Sequence, residues 1–310
     1  MESPQVIKGR IRAVKNIGQI TRAMEVVSAT KMRKAQELAL ASRAYALKAL
    51  EILAYVDRNL TKTAEELERV IRRTLVVIIS SDRGLAGSFN TQVFRRADQF
   101  FASDEYRSDP LHEYRLITIG KKAAQYAAKK SYVVEEKFIG FGDYTTPEEI
   151  EAVERIAIEG YRKQRWDRVL VVSTHFRSTL RQDPLVRQIL PVDFQKVRET
   201  VAELIPEAGK YAGRERHEVL TINEETEYIF EPTREEALHV LIPHLLKMQL
   251  YHLTLEANAS EHSARRVAMK TASDNAAELS LGLTLEYNKA RQASITKEII
   301  EIVSTQSALA

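Results

Sequence analysis

Two long segments almost free of proline, one at each end of the chain, constrain its fold more than any other feature of the sequence. No proline occurs between residues 5 and 109, and none follows Pro243. Apolar side chains recur there at steps of three and four residues: Ile7, Ile11, Val14, Ile17, Ile20, Met24 and Val27 in the first segment, and Met269, Ala272, Ala276, Leu279 and Leu283 in the second. This spacing predicts one amphipathic helix over residues 3–59 and another over residues 234–306.

Local signals refine both predicted helices. Ser3 precedes Pro4 at the position expected for an N-cap, so the first helix is predicted to begin at once, and we expect no leader sequence before it. Gly9 and Gly18 each cost about 1 kcal/mol relative to alanine inside a helix, which predicts close approach by a partner at both positions. Pro243 is expected to bend the second helix near its start.

Between these segments the apolar pattern changes to short runs of strand length. Strands are predicted at residues 75–80, 115–119, 133–137, 168–173 and 188–192, with a further pair near residues 218–231, and helices at residues 91–101, 121–129 and 148–164. Alternation of strands and helices predicts the α/β fold class, with a central Rossmann-like α/β/α sheet domain.

The chain is therefore predicted to contain an N-terminal shaft helix (residues 1–62), a central α/β domain (residues 68–231) and a C-terminal shaft helix (residues 232–310). The last helix would be roughly 110 Å long, whereas a compact domain of about 155 residues has a radius of gyration of about 15 Å. The terminal helices are thus expected to protrude and to pair as a long antiparallel coiled coil. Its tip would leave five apolar residues uncovered: Ile295, Ile299, Ile302, Val303 and Leu309. This predicts a sleeve supplied by another protein, with Ile295, Ile299, Ile302 and Val303 inside it.

The charge of the chain is unevenly distributed. The formal net charge is only +3, yet eight basic residues and a single acid, Glu25, occur from Lys8 to Lys34. This pattern indicates an acidic partner surface or a solvated helix face. Nucleic acid is a weaker alternative, because the first 44 residues contain no aromatic side chain to stack on bases. The absence of cysteine excludes disulfides and thiolate metal sites.

Few residues are arranged for catalysis or for binding a cofactor. The loop of residues 80–88 follows a predicted strand and opens a helix, but its glycines have neither the P-loop spacing nor the dinucleotide spacing. Ser173, His175 and Asp82 could meet at one sheet edge, yet the sequence has no Gly-x-Ser-x-Gly turn. His252 and the other histidines do not follow the spacing of a zinc-binding helix. We therefore expect no catalytic residue, no cofactor and no metal.

Several motifs occur in order along the chain and form a set. They are Ile7-Lys8-Gly9-Arg10-Ile11 and residues 20–27 in the first helix, residues 81–87 in the central domain, and residues 259–265 and 287–298 in the last helix. Together they resemble the gamma subunit of the rotary, proton-translocating F-type ATP synthase, and residues 287–298 are the most specific match. The chain departs from that family at Thr305-Gln306, where Gly-Ala is usual. It also lacks the cysteine-bearing insertion of chloroplast subunits.

The resemblance implies a rotor without a catalytic site or cofactor of its own. Such a rotor turns inside the hexamer of alpha and beta subunits and couples proton flow through the membrane c-ring to ATP synthesis, or hydrolysis, at beta. The resemblance assigns the contacts with beta to Met24, Arg265, Gln292, Thr296 and Glu298. It assigns the foot of the rotor, near epsilon and the c-ring, to Tyr228 and Glu231.

The same resemblance implies a bacterial subunit at the cytoplasmic face of the cell membrane, peripheral and attached only through the complex. Two other functions agree with parts of the sequence: a Rossmann-like nucleotide-binding enzyme with a coiled-coil arm, and a basic coiled-coil protein that binds nucleic acid. Tight binding of ATP or NAD to the isolated chain would favour the enzyme.

Overall fold

The computed structural model describes residues 2–57, 71–105, 109–141, 145–191 and 233–309. The elements follow in the order α1 (Pro4–Asp57), β1 (Arg73–Ile79), α2 (Phe89–Ser103), β2 (Glu113–Ile119), α3 (Lys121–Lys129), β3 (Val134–Phe138), α4 (Pro147–Arg162), β4 (Arg168–Phe176), β5 (Gln182–Leu190) and α5 (Arg234–Leu309). The α/β fold class with two long terminal helices is confirmed. The strand pair predicted near residues 218–231 lies outside the described residues.

The five strands form one mixed sheet in the order β3-β2-β1-β4-β5. The first four are parallel, and Val77 at the centre of β1 pairs with Ile117 of β2 and with Val171 of β4. β5 pairs antiparallel with β4 at one edge of the sheet. Parallel strands are usually covered on both faces, which explains why β1 reads as an almost continuous apolar run.

Helices cover both faces of the sheet and make three layers. Successive side chains of a strand point to opposite faces. Val77 accordingly lies in an apolar cluster with Ile150 of α4 and Leu250 of α5. Its neighbour Val76 lies in a second cluster with Val93 of α2 and with residues of α3.

The chain divides into two compact units, and α1 and α5 each contribute residues to both of them. One unit consists of Met1–Ser28 and Arg265–Ala310, and the other of Ala29–Ala264. The first holds the paired ends of the two terminal helices, and the second holds the sheet. No helix in the described ranges combines the length and the hydropathy that crossing a bilayer requires.

In the first unit the two terminal helices run antiparallel. Ile7 of α1 packs in one cluster with Leu283 and Ala290 of α5. Farther along α1, Gly18 lies against Ala276, which comes earlier in α5. Residue numbers therefore rise along one helix as they fall along the other, as the sequence predicted.

The buried face of α1 departs from the predicted apolar stripe. It passes through Ile7, Ile11, Val14, Gly18, Thr21, Ser28, Met32 and Ala35. The predicted members Ile17, Ile20 and Val27 are instead 53%, 60% and 52% exposed. A step of three residues falls short of a full helical turn by about 60°, so three such steps in succession, from Ile11 to Ile20, carry the stripe to the opposite side of the helix.

On α5 the predicted seam is largely correct. Met269, Ala276 and Leu283 are buried, but Leu279 is 54% exposed and does not belong to the seam. The close approach predicted at Gly18 is confirmed, whereas no other part of the described chain comes within 4 Å of the place for a Cβ atom on Gly9.

Candidate functional site

The last turns of α5 carry a continuous exposed face. Gln292 and Thr296 lie one turn apart, and the Thr296 hydroxyl donates to the carbonyl oxygen of Gln292 over 2.9 Å. Residues three, four and seven positions apart share one side of a helix. The same side therefore includes four exposed apolar residues: Ile295, Ile299, Ile302 and Val303. We call these six residues the outer strip.

Two residues that the resemblance groups with Gln292 and Thr296 as contacts with beta lie outside the outer strip. Glu298 is exposed, but it is turned toward Ser294, whose hydroxyl donates to Oε1 over 3.3 Å. Arg265 is only 7% exposed. The structure therefore brings Gln292 and Thr296 together with the apolar tip residues, and it separates Arg265 from them by burial.

A second exposed apolar face lies on α1. Met24 is half-buried at its border, and its carbonyl oxygen accepts the hydroxyl of the seam residue Ser28 over 2.7 Å. Ile17, Ile20 and Val27 are the exposed apolar residues nearest to Met24 along one side of the helix. Sequence reasoning assigned these three residues to the seam and thereby missed this surface.

The basic residues of α1 also face solvent. All except the half-buried Lys31 are exposed: Lys8, Arg10, Arg12, Lys15, Arg22, Arg33 and Lys34. Arg10 pairs with Glu2 over 2.9 Å. An exposed pair of this kind contributes only about 0–1 kcal/mol, so it leaves the positive field of α1 available to an acidic partner.

The turn that follows β1 is held by a carboxylate. Oδ1 of Asp82 accepts the backbone N–H of Lys121 over 2.8 Å, and Oδ2 accepts that of Gly140 over 2.9 Å. Lys121 is the first residue of α3, and the N-terminus of a helix attracts anions. Gly120 before it has φ +95°, and a Cβ atom there would lie 2.3 Å from the carbonyl oxygen of Ser80. The place of a ligand phosphate is thus filled by the protein's own carboxylate.

A small cavity lies beside this turn. Its volume is about 160 Å³, and its lining includes Asp82, Arg83, Phe141, Asn258 and His262. Pockets for small molecules usually have volumes of about 300–1,000 Å³. The volume of this cavity is therefore below the range that is usual for sites holding a molecule such as ATP or a dinucleotide.

The Ser-His-Asp arrangement that the sequence left open is not formed. Ser173 and His175 are buried at the end of β4. Nδ1 of His175 lies 2.8 Å from Oε1 of Glu256 on α5, while both carboxylate oxygens of Asp82 accept backbone N–H groups elsewhere. His175 is therefore oriented by Glu256 and is not placed to activate a nucleophile.

Glu256 is the centre of a buried polar cluster. Its Oε2 accepts Nη1 of Arg187 over 3.2 Å, and Nε2 of His252 lies 3.5 Å from its Oε1. Burial would by itself raise the pKa of Glu256. The hydrogen bond with His175, the nearby ring of His252 and the charge of Arg187 together outweigh burial and hold the pKa of Glu256 well below its usual range.

One sequence signal could have indicated this cluster. His252 and Glu256 are one helical turn apart on α5, so they share a face.

Within the described ranges, no group of three or more His, Cys, Asp or Glu residues could hold a metal ion. The predicted foot residues Tyr228 and Glu231 lie outside the described residues.

Comparison with known proteins relates the whole chain to one family. The family model described as ATP synthase matches residues 3–309. The ATP synthase gamma chain of Roseiflexus castenholzii is 38% identical, over 100% of this chain and 99% of that protein. The ATP synthase gamma chain of Chloroflexus aurantiacus is 35% identical over the same shares.

Solved structures share the fold at lower identity. A chain of the Euglena gracilis mitochondrial ATP synthase (OSCP/F1/c-ring) is 18% identical with a TM-score of 0.63, over 99% of this chain and 94% of that one. A chain of the Tetrahymena thermophila mitochondrial ATP synthase (central stalk and c-ring) is 23% identical with a TM-score of 0.56, over 82% of this chain and 99% of that one.

Proposed function

The chain belongs to the ATP synthase gamma-chain family, and we propose that it acts as the rotor that couples turning of the c-ring to catalysis in its complex. As a gamma chain it is the central-stalk subunit of the rotary ATP synthase and has no catalytic site of its own. It is a peripheral subunit of an assembly that contains F1 and a c-ring. A subunit without a catalytic site can act only through its contacts with the other subunits.

One observation carries the proposal: both helices of the pair carry large apolar side chains that face away from their shared seam. Gly18, Thr21 and Ser28 are in the seam, while Ile17 and Ile20 are exposed. The outer strip of α5 adds four more large apolar side chains in one row. Exposed apolar rows of this kind mark surfaces that another protein covers.

The partners of these surfaces are the alpha, beta and epsilon subunits and the c-ring. The outer strip lies in an apolar sleeve formed by alpha and beta, where Gln292 and Thr296 supply polar contacts. The basic side of α1 faces an acidic surface of beta near Met24. Arg265 and Glu298 add polar contacts with beta, and Tyr228 and Glu231 contact epsilon and the c-ring.

Coupling follows from the asymmetry of this shaft. The outer strip is on one side of α5, so each angle of the rotor presents a different surface to each of three beta subunits. A surface can shift a conformational equilibrium only by the difference in its contact energy with the two states. Torque is then the change of these contact energies with angle, and proton flow through the c-ring supplies the rotation. The complex is at the cytoplasmic face of a bacterial cell membrane.

Reconstitution tests this function directly. The chain, mixed with its own alpha and beta subunits, is expected to form a hexameric ATPase, and failure to do so would exclude the rotor. Calorimetry of the isolated chain with ATP and with NAD should give no tight binding, because Asp82 fills the anion position at α3. Tight binding of either nucleotide would favour an enzyme with a coiled-coil arm.

Substitution of Met24 tests the coupling contact. Met24→Lys places a charge at the border of the apolar face and should lower ATP-driven proton pumping more than ATP hydrolysis. Ala13→Lys is the matched control, because Ala13 is exposed on the same side of α1 about three turns away. Equal pumping by the two variants would remove Met24 from the coupling contacts.

A further inference from the structure

The proposed rotor can pass torque from the sheet to α5 only if α5 keeps a fixed rotational position against the sheet. Among the described contacts, one set of hydrogen bonds between α5 and the sheet has the directionality that resists rotation of the helix. Part of the contact between α5 and the sheet is apolar, as in the cluster of Leu250 and Leu253 with Val77 and Val171. Apolar attraction is non-directional and resists turning of a helix about its axis only through packing. Hydrogen bonds weaken steeply when their angle changes.

Glu256 makes the directional contact. Its two carboxylate oxygens are held by two different strands: Oε1 by Nδ1 of His175 on β4 over 2.8 Å, and Oε2 by Nη1 of Arg187 on β5 over 3.2 Å. All three side chains are at least nine-tenths buried. A carboxylate held from two strands cannot turn without losing one bond, and in this buried place no water would replace it.

A second bond lies on the same side of α5. Ser263, seven residues or two turns after Glu256, donates its hydroxyl to the carbonyl oxygen of Thr179 in the β4–β5 connection over 2.8 Å. The two contacts hold one side of α5 to one pair of strands at two points along the helix. A single point would resist rotation less, because the helix could tilt about it.

We propose that Glu256, held between His175 and Arg187, is the joint that fixes the rotational position of α5 against the sheet and so transmits torque into the shaft. This proposal rests on the function proposed above and adds Glu256 as a positioning residue that touches neither nucleotide nor beta. A metal site is the alternative for two histidines and a carboxylate. Arg187 already binds Oε2, however, and its positive charge opposes a cation.

The test compares two conservative substitutions in the reconstituted complex. Glu256→Gln keeps the size of the side chain but removes the charge that both strands bind. Asp104→Asn is the matched control, because Asp104 forms a similarly buried ion pair with Arg168 of β4 over 2.5 Å and also accepts the hydroxyl of Tyr114 on β2. For each complex, protons pumped per ATP hydrolysed and the thermal midpoint are measured.

If Glu256 fixes the rotational position of α5, Glu256→Gln is expected to lower the number of protons pumped per ATP several-fold while ATP hydrolysis continues. Asp104→Asn is expected to leave this ratio at the wild-type value. If both variants keep the wild-type ratio, or if both lose it together with thermal stability, Glu256 is only a structural residue. If Glu256→Gln does not assemble, His175→Gln, which removes one of the two bonds, replaces it with the same expected direction. A wild-type complex that hydrolyses ATP without pumping would instead overturn the rotor function itself.

Discussion

The Cβ atom of Ala276 lies 3.4 Å from the place that a Cβ atom would take on Gly18. This separation is an ordinary van der Waals contact, so the seam between α1 and α5 has room for one methyl group at this point and for nothing larger.

Substitutions at Gly18 should therefore change stability in opposite directions. Gly18→Ala fills the available space and should raise the free energy of unfolding by about 0.5–1 kcal/mol through helix propensity. Gly18→Leu should lower it by about 1–3 kcal/mol, because the larger side chain forces the helices apart. Urea unfolding followed by far-UV circular dichroism measures both. Gly9→Ala is the control, since nothing lies within 4 Å of its Cβ position, and it should gain as much as Gly18→Ala.

A substitution at Gly160 on α4 tests the packing of Trp166, the only tryptophan in the sequence. A Cβ atom on Gly160 would lie 2.1 Å from Trp166, whose indole N–H donates to the carbonyl oxygen of Ala157 over 3.1 Å. Gly160→Ala should therefore displace the ring and cost about 1–3 kcal/mol, with a change in the fluorescence spectrum of the folded protein. Gly84→Ala, at an open position, should leave the fluorescence unchanged. Equal spectra for the two variants would contradict the described packing.

Acid should reveal the contribution of Glu256 to stability. Because its pKa is lower in the folded chain than in the unfolded chain, its ionisation stabilises the fold above the unfolded value of about 4.3, and this stabilisation is lost as the pH falls below that value. Glu256→Gln should cost about 3 kcal/mol near neutral pH, and the difference from wild type should shrink in acid. Glu159→Gln is the control, because its exposed pair with Lys163 contributes little. A difference independent of pH would contradict an ionised Glu256.

Removal of the Asp82 carboxylate should open an anion site. Asp82→Ala leaves the N–H groups of Lys121 and Gly140 without their acceptor and should cost about 1–3 kcal/mol. Sulfate should then stabilise the variant more than the wild type, because it can bind at the vacated N-terminus of α3. Thermal unfolding with sulfate and with chloride at equal ionic strength measures the difference. Asp109→Ala, which removes a carboxylate from an exposed turn, should show no such response to sulfate.

Much of the fold follows from local sequence patterns. The α3 helix begins and ends at the predicted residues, and four of the five strands begin within about two residues of their predicted starts. β5 begins at Gln182, well before the predicted residue 188. β5 begins with the polar residues Gln182 and Asp183, followed by Pro184. An edge strand tolerates a proline, but these residues do not form the apolar pattern by which strands are predicted.

The functional surfaces were less predictable, for a different reason. An apolar stripe shows which residues avoid water, but it does not show whether a partner inside or outside the chain covers them. Ile17 and Ile20 are apolar because another surface covers them in the proposed complex, while Gly18 is in the seam because it is small. The bond between His175 and Glu256 joins residues 81 positions apart, a pairing that no local pattern reports.

The small residues in the seam, Gly18, Thr21 and Ser28, leave large β-branched side chains of α1 in contact with water. A copy released from the ribosome without the partners proposed above carries these side chains uncovered, and it is expected to adhere to other copies as its concentration rises. In the proposed complex the other subunits cover these side chains, so copies made in excess of them are expected to become substrates for chaperones and proteases.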